Sequence, residues 1–179
     1  VGIDGLPDLQ LGNGVVAHGS VSTFYRSNGN VFGGALNASI ANADWSLEYD
    51  GAGSRGQNYK AGGGAMVRDS LYATQNHAVT LARRLDGGLL TFAAGIQDIP
   101  YQGFPNVRMD MLYNRSEFIN VRLENTYDWG KLDARAFWQE TRHYMNFLAD
   151  KMASHADAAS GGGMPMYTNG TDSGWSVKG

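Results

Sequence analysis

The strongest constraint on this chain is its alternation at two scales. Strand-length segments carry apolar residues at every second position, and the links between them are sorted into short and long. In residues 31–41, Phe32, Gly34, Leu36, Ala38 and Ile40 hold one set of alternate positions, with Asn37 and Ser39 between them. In residues 45–50, Trp45, Leu47 and Tyr49 alternate with Ser46, Glu48 and Asp50. Successive side chains of a strand point to opposite faces, so this spacing predicts strands that are apolar on one side only. A helical core would need apolar residues every 3.6 positions. That spacing is missing from nearly every stretch, and 25 glycines in 179 residues add to the case for strands and turns.

After an irregular lead-in of residues 1–18, about eight strands are expected over 19–179. Links at 27–30, 42–44, 85–88 and 128–131 are tight and carry the Asn, Asp and Gly of hairpin turns. Those at 51–74, 98–114 and 147–173 are long, the first of them polar and rich in glycine. From the second strand onward the links alternate short and long. A β-sandwich has no reason to sort its loops this way, whereas a transmembrane β-barrel does, with turns at one rim and loops at the other. The expected fold is therefore all-β, an antiparallel up-and-down meander. Val1 is not an initiator Met, and residues 176–179 read as the middle of a strand. The chain is expected to be an incomplete segment of a larger barrel. A small self-contained barrel serving as an anchor or adhesin, and a soluble β-sandwich binding module, are the alternatives.

Orientation can be read from one segment. Leu132, Ala134, Ala136 and Trp138 share one face, and Asp133, Arg135, Phe137, Gln139, Thr141, His143 and Met145 share the other. A charge facing lipid near the midplane costs roughly 2–4 kcal/mol, so the first set is expected to face lipid and the second the lumen. Glu140, Arg142 and Tyr144 follow Trp138 on the outward face, which puts the end of the hydrocarbon there and His143 and Met145 above it, on the extracellular side. Trp45, Tyr127 and Trp129 are expected in one interfacial girdle, and Trp138 and Trp175 near a long loop in the other.

Composition removes several classes. A net charge of −3 offers no basic footprint for nucleic acid. The chain has no cysteine, so disulfides, thiol catalysis and Cys-ligated metal are excluded. No run approaches the roughly 20 apolar residues of a membrane helix. Gly51-Ala52-Gly53-Ser54-Arg55-Gly56 matches a dinucleotide fingerprint by letter but lacks the following helix that would hold a pyrophosphate. Asp44, Asp86 and Asp128 sit in turns, and His18, His77, His143 and His155 have no recurring partner pattern, so an enzyme is not expected.

The residues that do suggest chemistry are soft donors. His143 and Met145, two apart on a strand, put an imidazole and a thioether on one face, a donor pair that suits copper better than zinc or a hard cation. Met164-Pro165-Met166 repeats the spacing in the following loop, where Met152 and His155 also lie. The segment 98–111, with Tyr101, Phe104, Arg108, Met109 and Met111, has the composition of a binding loop rather than a spacer. Tyr101, Phe104, Arg108, Met109, Met111, Met164 and Met166 are the ligand-loop candidates, and no resident cofactor is expected.

In order along residues 19–179, the runs Gly19 to Gly29 (GSVSTFYRSNG), Asn58 to Gly62 (NYKAG), Ile99 to Asn106 (IPYQGFPN), Arg108 to Met111 (RMDM), Thr141 to Met145 (TRHYM) and Gly163 to Met166 (GMPM) resemble the barrel of TonB-dependent outer-membrane receptors. The likeness is greatest to a branch that includes copper receptors. It implies the N-terminal part of a 22-stranded barrel in the outer membrane of a gram-negative bacterium, filled by a plug and energised through TonB, for uptake of copper or of an iron-siderophore chelate. It also implies that His143 and Met145 are barrel ligands to the metal. The expected partners are outer-membrane lipid, the plug and the TonB complex.

Overall fold

The computed structural model describes residues 14–154 and 165–179. Eight strands follow one another: β1 (Val16–Arg26), β2 (Val31–Ala41), β3 (Trp45–Gly56), β4 (Tyr72–Leu85), β5 (Gly88–Gln102), β6 (Asp110–Tyr127), β7 (Gly130–Asn146) and β8 (Met166–Lys178). One short helix, α1 (Ala149–Ser154), lies between β7 and β8. Each strand pairs antiparallel with the next, and the sheet order is the chain order. This is the expected meander.

Several boundaries differ from the sequence reading, always in favour of longer strands. The first strand begins at Val16 rather than at Gly19. The first long connection is 57–71 rather than 51–74, so the glycine-rich run of residues 51–56 is not a loop but the second half of β3. Gly51 and Gly53 pair with Leu36 and Gly34 on one side and with His77 and Gln75 on the other. Low strand propensity is overridden because a central strand has a neighbour on each side, so the backbone groups pointing either way all find ladder partners. The second long connection is 103–109, and β8 begins at Met166. Trp175, expected beside a long loop, instead lies deep in β8 opposite Ala136.

The sorting of the links survives these corrections. At one rim the turns 42–44, 86–87 and 128–129 are all tight; at the other are the connections 57–71, 103–109 and the α1-bearing link, with the 27–30 turn beside them. Gly29 and Asn30 in that turn have φ of 81° and 44°, as a tight hairpin connection requires.

The two faces of the sheet differ sharply. Residues of β1 to β7 line a single cavity of about 440 Å³, including Ser20, Asn37, Asp50, Asn76, Gln97 and Gln139, so this polar face is concave. It also carries the charge cluster near the tight turns. Arg122 Nη2 and Arg135 Nη2 donate to Asp133 Oδ2 at 3.0 and 2.9 Å. The opposite face shows Val21, Leu36, Leu47, Val79, Leu81, Phe92, Ile119, Val121 and Trp175, all exposed, Trp175 to 81%. Buried apolar residues among those described are confined to Val31, Ala41, Ala82 and Ala93. No second layer covers the apolar face among the described residues, and an exposed apolar area of this extent is a site of contact with something apolar.

Above the apolar band on the convex face, toward the loop rim, lie Asp98, Arg115, Glu117, Glu140 and Arg142, and above them Tyr113, Tyr144 and Tyr167 in one register line. Each arginine is held by the glutamate two residues away on its own strand, Arg115 Nε to Glu117 Oε1 at 2.7 Å and Arg142 Nε to Glu140 Oε1 at 3.1 Å.

On the concave face three phenylalanines lie over the glycines opposite them. A Cβ on Gly33, Gly95 or Gly174 would come within 2.6, 2.5 and 2.8 Å of the rings of Phe24, Phe118 and Phe137. The absent side chain lets the ring lie flat against the backbone of the neighbouring strand.

Candidate metal centre

The registers on either side of β7 put three methionines on one line. Met145 pairs with Met111 of β6 and with Met166 of β8. Directly opposed residues point to the same side of a sheet with Cβ atoms about 4.5–5.5 Å apart, and a thioether on three rotatable bonds spans that gap. The row faces the concave side at the loop rim. Met111 and Met145 are half-buried, and Met166 is 45% exposed.

A β-bulge creates this alignment. Between Met111 and Tyr113 the register of β6 against β7 shifts by one residue, so Tyr113 opposes Tyr144 and Asn114 opposes His143, yet Met111 still opposes Met145. An extra residue in one strand re-aims the side chains beyond it, and bulges recur beside functional sites. Without the shift, Leu112 would oppose Met145.

His143 lies two residues below Met145 on the same face. Its Nδ1 is 3.1 Å from Oδ1 of Asn114, which is buried to 9% exposure. The tautomer with its hydrogen on Nδ1 donates to this oxygen and leaves the Nε2 lone pair free. This is how a metal-ligating histidine is commonly oriented by a neighbour. The four side chains thus present three thioethers and one imidazole nitrogen, a soft set suited to a monovalent copper ion. Among the described residues no three His, Asp or Glu side chains converge to hold a metal.

The other sequence candidates divide. Met111 and Met166, read as loop residues, are strand residues in the row. Tyr101 pairs with Ala73, and a register shift between Ala73 and Gln75 turns it to the convex face, away from His143. Phe104, Arg108 and Met109 lie on the 103–109 connection that leads into Met111. Phe104 acts through its backbone, its N–H donating to Asp110 Oδ1 at 2.9 Å and its carbonyl accepting from Lys151 Nζ at 2.7 Å. Met164 and His155 lie outside the described residues, as does the side chain of Met152.

Sequence reading misses Asn114, Asp69, Asp110 and Lys151. Asn114 acquires its role only from the register across the bulge. Lys151 is fully buried, its Nζ 3.3 Å from Asp110 Oδ1 and 3.7 Å from Asp69 Oδ2, and it donates to the carbonyls of Phe104 and Val107. A lone lysine in a polar link carries no signal of burial.

A one-sheet meander with sorted links, a polar concave face and an apolar convex one is the construction of a β-barrel wall. Among solved structures, one described as the copper transporter OprC is similar to this chain with a TM-score of 0.68, at 20% sequence identity over 75% of this chain and 21% of that one. The chain therefore spans about a fifth of the length of that protein, and at this identity the likeness establishes a shared fold. No family model and no curated protein matches the sequence.

Proposed function

We propose that this chain is part of the barrel wall of a TonB-dependent outer-membrane receptor that takes up copper. The observation that carries the reading is the Met111–Met145–Met166 row beside His143, whose Nε2 lone pair is left available by Asn114. A solved structure similar to this chain is described as a copper transporter, which agrees with the donor chemistry. In this reading the apolar convex band meets lipid, the charged and tyrosine rows above it meet the headgroup layer, and the concave face meets a plug supplied by the rest of the receptor. The protein is a carrier without enzymatic activity, and copper is its cargo.

The four donors divide the work. His143 and Met145, on the central strand, form the fixed pair. Met111 and Met166 flank them from the neighbouring strands and close the soft set. Iron held in a siderophore would instead be recognised through the chelate's oxygen-rich periphery, for which this row offers no matching donors.

The test is metal titration of the full-length receptor in detergent, with Cu(I) and Zn(II) in parallel. His143→Ala and Met145→Ala should weaken Cu(I) binding much more than Zn(II) binding. Met111→Leu and Met166→Leu keep the apolar volume and remove only sulfur, and should each lower Cu(I) affinity. Unchanged Cu(I) affinity in all four variants would overturn the copper reading.

A further inference from the structure

The connections at the loop rim are tied to one another. Asn28 of the β1–β2 turn bonds both the N–H and the carbonyl of Lys60. Asn58 accepts from the N–H groups of Ser70 and Leu71 and donates to Asp150 of α1. The N–H of Gly103 donates to Leu71 O at 2.9 Å, and a Cβ at that glycine would come within 2.4 Å of the Asp69 carbonyl oxygen. Asp110 accepts from Phe104 N and from Leu148 N at 3.1 Å.

The ties converge on one buried group of charges: Asp69 from 57–71, Asp110 at the head of β6, and Lys151 from α1, with 2%, 0% and 0% exposure. Two carboxylates and one ammonium leave the group one negative charge in excess. Asp110 has its partners: Oδ1 takes the Phe104 N–H and faces Lys151, and Oδ2 takes the Leu148 N–H. Asp69 Oδ1, by contrast, is buried without a hydrogen-bond partner. Burying a net charge and leaving an anionic oxygen without a donor are both costly, and one proton on Asp69 relieves both.

We propose that Asp69, Asp110 and Lys151 form a proton-sensitive latch that holds residues 57–71, 103–109 and 147–151 closed as one cap at the loop rim, beside the methionine row. The latch rests on the barrel reading only for the direction the cap faces, and it requires no metal.

The groups facing the Asp69 carboxyl are Asp110, Lys151 and Asp150. Burial, then the charge of Asp110, raises the Asp69 carboxyl above its ordinary value of 3.8; Lys151 opposes this, and Asp150 adds to it. In the open cap the carboxyl is solvated and ordinary. A raised acid in the closed state means that closure binds a proton. Closure is therefore firmest near and below pH 3.8, loosens as pH rises toward the raised value, and changes no further above it. Asp69 has φ of 58°, a conformation asparagine also tolerates, so Asp69→Asn mimics the protonated carboxyl without backbone strain.

The test is hydrogen exchange read by mass spectrometry on the full-length receptor in detergent, without metal, from pH 4 to pH 8 and corrected for intrinsic rates. Residues 57–71, 103–109 and 147–151 should gain protection together as pH falls, while β5 to β7 stay constant. Asp69→Asn should hold the three segments protected at every pH. Lys151→Met should loosen all three at once. Segments that respond separately to Lys151→Met, or an Asp69→Asn protein that keeps the pH response, would overturn the latch. If Lys151→Met fails to fold, the Asp69→Asn profile alone decides. Because copper is absent, the outcome is independent of the metal reading.

Discussion

His143 Nδ1 lies 3.1 Å from Asn114 Oδ1, and the tautomer that donates across this contact leaves Nε2 available. Replacing Asn114 by Leu removes the acceptor, lets the ring turn and change tautomer, and places an apolar group in a polar, bulged site. Loss of such an orienting partner typically costs roughly 10–100-fold in metal affinity. Asn114→Leu should therefore lower Cu(I) affinity by that order without removing any ligand, as a competition titration against a chelator of known affinity would measure. An affinity equal to wild type would show that His143 is held by something else. Gly88 offers a separate test, of stability. A Cβ there would come within 2.0 Å of the Glu124 carbonyl oxygen, so Gly88→Ala has to distort the β5–β6 pairing at the tight-turn rim. Its urea unfolding midpoint should fall, with metal binding unaffected once the protein is folded.

At the scale of the element, β7 carries both chemistries of the wall. Ala136 lies on the convex face between Val121 and Trp175, and Gln139 on the concave face between Phe118 and Asp172. An arginine on a lipid-facing strand position near the midplane costs roughly 2–4 kcal/mol, whereas one facing an aqueous lumen costs little. Ala136→Arg should therefore destabilise the receptor by that amount in urea unfolding from bilayers, and Gln139→Arg by much less. Equal costs would mean that the convex face is not in lipid. The alternation within β7 is legible from the sequence because the charges Asp133 and Arg135 fall on the opposite parity to Leu132, Ala134, Ala136 and Trp138, over the seven residues before Glu140 and Arg142 mark the end of the apolar band. The start of β8 is not legible, since residues 166–174 hold Thr, Asn, Gly, Asp and Ser, and only pairing with β7 makes them a strand. The same holds for residues 51–56 of β3.

For the molecule as a whole, a single sheet with an exposed apolar face has two open sides among the described residues, the free edges of β1 and β8. Unpaired strand edges and uncovered apolar faces promote association with further strands. Residues 1–179 expressed alone in detergent-free buffer should aggregate, as light scattering and size-exclusion chromatography would record. A stable monomer there would favour a soluble binding module over a barrel wall.

Strand parities, the sorting of short and long links, and the His143–Met145 pair can all be read along the chain, because these are local: they depend on positions two apart on one strand or on turn residues adjacent in the chain. The methionine row, the Asn114 contact and the Asp69–Asp110–Lys151 group exist only once the sheet and its connections have come together. Met111 and Met166 stand 34 and 21 residues from Met145, and only strand register, shifted once by a bulge, brings them level. Register is set by the hydrogen-bond ladder and the burial pattern of whole strands, so no single residue announces it. Lys151 is buried only because three separate connections converge around it, and its sequence neighbours hold no record of them.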